Sequence, residues 1–190
     1  KDMRNIFIVS GPAGSGKDSV ISCLAEKIPL TRIVTTTTRP ERAGEQAGLD
    51  YHFVSREDFE KGIAANRFAE YSINENNEYY GVTHEELERA VQSEVPAIWK
   101  LDWKGVISAK KLFPSVPAIF VIAPAEVLER RLRKRDAVAK DEAYFRDRMA
   151  YTEEWLKHTD IYDYTITNEE DRLSEAVEAV EAIISKRSKA

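Results

Sequence analysis

Gly11, Gly16 and Lys17 stand at the spacing G-x-x-x-x-G-K within SGPAGSGKDS, Ser10 to Ser19, and no other stretch implies chemistry so directly. An apolar run, Ile6-Phe7-Ile8-Val9, precedes it, and a helical pattern spanning Val20 to Ala25 follows. Strand, glycine loop and helix in that order make a phosphate-binding loop. Glycine lets the backbone approach phosphate oxygens with its N–H groups inward, and the helix N-terminus adds partial positive charge. Lys17 then reaches the β- and γ-phosphates of a triphosphate as a point charge. The candidate triphosphate site is therefore Gly11, Pro12, Ala13, Gly14, Ser15, Gly16, Lys17, Asp18 and Ser19. After the lysine such loops carry Ser or Thr as a Mg²⁺ ligand, and here Asp18 takes that place. A carboxylate is also a hard oxygen ligand, so Asp18 is the candidate metal ligand, directly or through water, with Ser19 as a substitute. Its charge beside a polyphosphate predicts weakened nucleotide binding.

The elements that must position this loop follow from hydrophobic pattern. Short apolar runs at Ile6–Val9, Ile33–Thr36, Ala97–Leu101, Ala118–Ile122 and Tyr164–Thr167 alternate with helical stretches. Such runs predict an α/β fold whose parallel five-stranded sheet is covered on both faces by helices. Ligands on such sheets bind at the carboxyl ends of the strands, here Ser10, Thr35, Asp102, Ala123 and Asn168. Between Thr37 and Glu94 the texture turns polar. Asp50–Val54, Phe68–Ile73 and Tyr79–Val82 predict a small, partly antiparallel sheet with Asn76-Asn77 as a turn. Ser55 with Asp58, and Thr83 with Glu86, predict caps for helices starting at Arg56 and His84. Later, Ala125 to Arg135 and about Asp141 to Lys157 read as helices around the polar Asp136–Lys140, an arginine-bearing flap. Leu173 to Ile184 predicts a covering helix.

At 190 residues the chain is read as one domain. It divides into a core of about 1–36 and 96–190, an inserted subdomain of about 37–95 and a lid of about 133–148. Lys+Arg 28 against Asp+Glu 33 leaves a net charge of −5, which disfavours nucleic acid or an anionic membrane as partner. Anions must be bound by local arginine and lysine clusters. Cys23, the single cysteine, precludes an internal disulfide and is expected as a core residue in a reducing compartment. Lys1 to Asn5 lead into the first strand without a long apolar segment, so a cytoplasmic protein is expected. His52, His84 and His158 lack metal-ligand spacing, and Trp99, Trp103 and Trp155 are expected to pack.

Further motifs extend the reading: Thr37-Thr38-Arg39-Pro40-Glu41-Arg42-Ala43-Gly44-Glu45, Gly48-Leu49-Asp50-Tyr51-His52-Phe53, Phe68-Ala69-Glu70, and Tyr79-Tyr80-Gly81. Leu101-Asp102, Arg131-Leu132-Arg133-Lys134-Arg135, and Tyr162-Asp163-Tyr164 before Asn168 follow. In order and spacing this set resembles the guanylate kinase family over nearly the whole chain. The resemblance implies transfer of the γ-phosphoryl of ATP to GMP with Mg²⁺, by a parallel core, a monophosphate-binding subdomain and a lid. Carried over by position, it implies that Thr35, Arg39, Arg42, Tyr51 and Tyr80 hold the monophosphate. Glu70 and Asp102 would read guanine, Arg135 and Arg148 would be lid arginines, and Asn168 would lie near the adenine. Lys17, Arg39, Arg42, Arg135 and Arg148 then supply the catalytic positive charge. Arg131 and Arg133 are expected to be solvated or structural.

Two departures bear on the acceptor. Val82 stands in the GMP site where the family has Ser or Thr, with Thr83 one residue late, and Lys100 replaces a carboxylate of the family's Asp-x-Asp pair. The bland readings are loop arginines at 39 and 42, a surface carboxylate at Glu70, packing tyrosines at 51 and 80, and Asp102 as the cap of a helix from Trp103. Because of Asp18, a kinase of the same superfamily acting on ribose 1,5-bisphosphate is the alternative. A non-catalytic guanylate-kinase-like binding module is the third reading.

Overall fold

The structure is a computed structural model that describes residues 3–42, 44–74, 76–136 and 141–188. In chain order its elements are β1 (Ile6–Ser10), α1 (Lys17–Lys27), β2 (Thr31–Ile33), β3 (Thr35–Thr37), β4 (Tyr51–Phe53), α2 (Arg56–Ala64), β5 (Phe68–Ile73) and β6 (Tyr79–Thr83). There follow α3 (His84–Val91), β7 (Ala97–Lys100), α4 (Trp103–Leu112), β8 (Ala118–Ile122), α5 (Ala125–Asp136), α6 (Glu142–Leu156), β9 (Tyr164–Thr167) and α7 (Leu173–Ser188). Five strands form a sheet in the order β2-β7-β1-β8-β9, with β2 parallel to β7 and β8 parallel to β9. This is the parallel α/β sheet that the apolar runs predict.

The chain forms two compact units. One runs through Ile8 and then from Leu30 to Val116; the other comprises Val9–Pro29 and the chain from Pro117 onward. The first contains the four-stranded sheet β4-β3-β6-β5, in which β3 and β4 are parallel while β6 is antiparallel to both β3 and β5. Ile33, Phe59, Val82, Leu87, Ile98, Trp99 and Val106 are buried in it. In the second unit Val20, Ile21 and Leu24 of α1, Phe120 and Val121 of β8, and Val127, Leu128 and Leu132 of α5 are buried. So are Ala176, Val177, Val180 and Ile184, the inward stripe of α7.

One expected strand is divided. The run Ile33–Thr36 is cut at Val34, so that Thr31–Ile33 joins the large sheet and Thr35–Thr37 the small one. The Val34 amide donates instead to Glu86 Oε1 at 2.6 Å. Glu86 is fixed in turn by Arg89, whose guanidinium also bonds the Thr31 hydroxyl and the Arg32 carbonyl. A carboxylate thus takes the amide a continuous ladder would use, and burial opposed by Arg89 and Val34 leaves its pKa lowered. Apolar pattern alone does not carry that information.

The caps fall where residue type puts them. Ser55 Oγ accepts from the Asp58 amide at 3.0 Å, Thr83 Oγ1 from the Glu86 amide at 3.1 Å, and Asp141 Oδ1 from the Tyr144 amide at 3.0 Å. Each satisfies a helix N-terminal donor, worth about 1 kcal/mol. Between β5 and β6, Asn77 takes the left-handed conformation with φ 59°, and Asn74 Oδ1 accepts from the amides of Asn76 and Glu78. Cys23 is half-buried, not a core residue, because it lies beside the Val20–Ile21–Leu24 stripe of α1. Among the described residues, no helix is long and apolar enough to cross a membrane.

Candidate active site

In the second unit the loop between β1 and α1 has the close backbone approach that glycine permits. A Cβ on Gly11 would stand 2.2 Å from the Val121 carbonyl oxygen, and one on Gly16 would stand 2.2 Å from Asn168 Nδ2. Gly16 also takes φ 81° as the residue before α1, so a side chain there meets both strain and a clash. Ser15 is fully buried, its carbonyl accepting from Asn168 Nδ2 at 2.8 Å, and its hydroxyl accepting from the Lys17 amide at 3.4 Å. Asn168 is 2% exposed, and its Oδ1 meets no hydrogen-bond partner among the described residues. Lys17 and Asp18 open α1, with Lys17 Nζ 3.8 Å from Asp18 Oδ2 and the Asp18 side chain 67% exposed.

Arg131, expected to be solvated or structural, is structural, with a tie at this site that sequence reading did not place. Its Nη1 donates to the carbonyls of Gly14 at 3.4 Å and Asn168 at 3.2 Å, and its Nη2 to Glu169 at 3.1 Å. It therefore joins the glycine loop to the segment after β9. Among the five basic residues of Arg130 to Arg135, only helical phase distinguishes the arginine that turns inward. Arg133, by contrast, pairs with Glu129 and Glu142 and lies over the Phe145 ring at 4.7 Å.

Arg135 and Arg148 converge on a second overlooked group. Asp136 accepts from Arg135 Nε at 2.8 Å and Nη2 at 2.9 Å, and from the Tyr144 hydroxyl at 2.9 Å. The Arg148 guanidinium stands 5.6 Å over the Tyr144 ring. Hydrogen bonds from Arg135 and Tyr144, with the nearby Arg148 charge, hold the Asp136 carboxyl at about 2. Of the expected loop Asp136–Lys140, Asp136 is the last residue of α5, and 137–140 lie outside the described residues.

The first unit assembles the other half of the expected site around β3. Register sets Thr35 beside Tyr51 on one flank and Thr37 beside Tyr80 on the other. Arg39, 5% exposed, is held by Glu45 through bonds of 3.0 and 2.8 Å, and its guanidinium lies 5.2 Å over the Tyr51 ring and 5.6 Å over Phe53. Tyr51 and Tyr80 meet edge to face at 6.2 Å. Burial and the neighbouring Glu78 push the Tyr80 phenol up to about 12, so it stays a neutral donor. Arg42 is exposed, and its amide donates to Glu45 Oε2 at 2.8 Å. Glu45 thus fixes both the buried guanidinium and the turn that leads from it. Lys100 Nζ lies 5.0 Å over the Tyr51 ring, a second cation on that aromatic group.

Glu70 is no surface carboxylate. A register irregularity between Phe68 and Glu70 aims it inward from edge strand β5, leaving it 4% exposed beside fully buried Val82. Its Oε1 meets no hydrogen-bond partner among the described residues. Burial, reinforced by the charge of Asp102 and opposed by the Ser108 hydroxyl, raises its carboxyl to about 8. Asp102 caps α4 through the Gly105 amide at 2.7 Å, so the cap reading holds while its charge still reaches Glu70. The Thr83 hydroxyl oxygen is engaged as the N-cap of α3, accepting from the Glu86 amide at 3.1 Å. Ser108, on α4, is the neighbouring hydroxyl that sequence reading did not single out.

Comparison with known proteins bears on the whole set. The pattern of one protein family, guanylate kinase, matches residues 3–187. A guanylate kinase of Rickettsia felis is 36% identical over 193 residues, covering 100% of this chain and 98% of its own. One from Methylococcus capsulatus is 36% identical over 171 residues, 89% of this chain and 82% of its own. The crystal structure of guanylate kinase from Anaplasma phagocytophilum superposes with a TM-score of 0.74 at 27% identity, covering 95% of this chain and 84% of that one. Motif order, the two-sheet architecture and full-length likeness agree, and the chain belongs to the guanylate kinase family.

Proposed function

We propose that the chain transfers the γ-phosphoryl group of ATP to GMP, giving ADP and GDP, with Mg²⁺. The observation that carries the choice of acceptor is Glu70, a buried carboxyl with one oxygen unpartnered among the described residues. Guanine presents N1–H and a 2-amino group side by side, and an ionised Glu70 accepts from both. Adenine leaves that carboxylate unpaired, which supports discrimination of roughly 10⁴. Arg39, Arg42, Tyr51, Tyr80 and Thr35 hold the monophosphate in this reading, with Asp102 beside the base and Val82 packing against it. Lys100 adds a cation to the same region.

The acceptor nucleophile is a phosphate oxygen already ionised near neutral pH, so the reaction needs no general base. Its barrier is charge repulsion and misalignment. Lys17, Arg39, Arg42, Arg135 and Arg148 offset the charge on the transferring group and its neighbours. The glycine loop, Gly11 to Ser19, cradles the triphosphate, and Asn168 lies near the adenine with Oδ1 able to accept from an amino group. Asp136 orients Arg135 through two hydrogen bonds. The proposed partition keeps a monophosphate-binding subdomain of about 37–95 and a lid of about 133–148. A lone thiol, Cys23, and nucleotide substrates support work in the cytoplasm.

Mg²⁺ fits the residues present as a nucleotide-borne ion. Among the described residues no cluster of three or more His, Cys, Asp or Glu could hold a metal, and Mg²⁺ normally takes one or two protein oxygens besides phosphate and water. Asp18, exposed at the start of α1, and Ser19 would supply them. Held there with the nucleotide, Mg²⁺ would supply positive charge to offset that of the phosphates.

The family match does not favour ribose 1,5-bisphosphate as acceptor, and retention of Gly11, Gly16 and Lys17 argues against a purely binding module. Lys17→Met tests the catalytic reading. Turnover of ATP with GMP is expected to fall about a hundredfold, the cost of one transition-state contact. An undiminished rate would overturn it.

A further inference from the structure

Tyr162 precedes β9 and lies outside every role assigned above. Its ring stacks on Phe120 of β8, with centroids 4.6 Å apart and planes 16° from parallel. The next residue, Asp163, fixes that placement: its amide donates to the Ala118 carbonyl at 2.9 Å, and its Oδ2 accepts from the Ala118 amide at 2.7 Å. The phenolic oxygen accepts from Trp155 Nε1 at 2.9 Å and lies 3.0 Å from Ser10 Oγ. An indole N–H can only donate, so the phenol accepts there and its own proton can go to Ser10. Ser10 is fully buried and directly precedes Gly11, which is pressed against the Val121 carbonyl. The start of the glycine loop is thus held by main-chain packing on one side and by this hydroxyl on the other. Trp155, 5% exposed, belongs to the last turn of α6, the helix that also carries Arg148.

We propose that Tyr162 is a positioning residue of the triphosphate site, tying Ser10 and the start of the glycine loop to the C-terminal turn of α6. The placement of Arg148 and that of the loop then depend on one shared hydroxyl. This rests on the reading of the loop as the ATP site.

Tyr162→Phe keeps the stacked ring and deletes the tie; Ser10→Ala deletes it from the other end. Calorimetric titration of the full chain with a non-hydrolysable ATP analogue and Mg²⁺ is expected to show affinity about five-fold weaker in Ser10→Ala, which loses one neutral hydrogen bond, and at least as much weaker in Tyr162→Phe, which loses that bond and the one from Trp155. The double variant should bind no more weakly than Tyr162→Phe, because the bond that Ser10→Ala removes is already missing there. GMP affinity should stay within twofold of wild type. Unchanged analogue affinity in Tyr162→Phe, with only its melting temperature lowered, would make the tie merely structural and overturn the proposal. Multiplying losses in the double variant would overturn it too. If Tyr162→Phe does not fold, Ser10→Ala decides alone, by the same criterion. A wild-type chain that binds the analogue but transfers no phosphoryl group to any acceptor refutes the kinase reading and leaves these isotherms decisive.

Discussion

A carboxyl raised from the ordinary 4.5 to about 8, as at Glu70, carries its proton in about nine of ten molecules at pH 7. Guanine offers only donors at the edge that Glu70 would read, so binding must expel that proton. GMP affinity is therefore expected to fall about tenfold per pH unit below 8, with close to one proton released per GMP bound, measurable by calorimetry in buffers of different ionisation enthalpy. Affinity flat between pH 6 and 8 would contradict this. The same shift has a stability consequence of opposite sense. Between 4.5 and about 8 the folded chain binds the proton and the unfolded chain releases it, so stability falls as pH rises. Glu70→Gln should flatten that slope, read as the difference between urea midpoints at pH 5.5 and 8. Residue type and motif position singled out Glu70, Arg39 and Lys17 in the sequence as candidates. Arg131 and Asp136 were not, because which member of a charged run turns inward depends on helix phase and on partners far along the chain.

At the level of elements, the capping residues separate stability from selectivity. Thr83→Ala removes the α3 cap and should cost about 1 kcal/mol of stability while leaving the preference for GMP over AMP unchanged. A changed preference would mean that Thr83 reaches the base after all. Asp102→Ala should cost a similar amount through α4 and also remove a charge that raises Glu70. The pH below which GMP binding weakens should accordingly move down, visible in the pH profile of KM for GMP. Caps, helix faces and most strands were legible because each is a local pattern: Phe68–Ile73 and Ala118–Ile122 form over the residues that alternation and apolar runs indicate. The break at Val34 was not legible, since Glu86 takes that amide from 52 residues away.

For the molecule as a whole, a net charge of −5 and two anionic substrates mean that affinity comes from local cation clusters. Arg39 and Lys100 gather around Tyr51 in the first unit, and in the second Arg135 bonds Asp136 while Arg148 lies over Tyr144, whose hydroxyl also bonds Asp136. The α/β architecture and the family were legible because about six short motifs in register are very hard to meet by chance. The acceptor was less so, since Val82, Lys100 and Asp18 each depart from the family pattern at a contact that packing alone cannot weigh. The central claim is best tested by incubating the chain with ATP and Mg²⁺ and each of GMP, dGMP, AMP, UMP and ribose 1,5-bisphosphate, and resolving the products directly. GDP and ADP should form in equal amounts, with kcat/KM for GMP exceeding that for AMP by roughly 10⁴. GMP ranking among the poor acceptors would contradict the account.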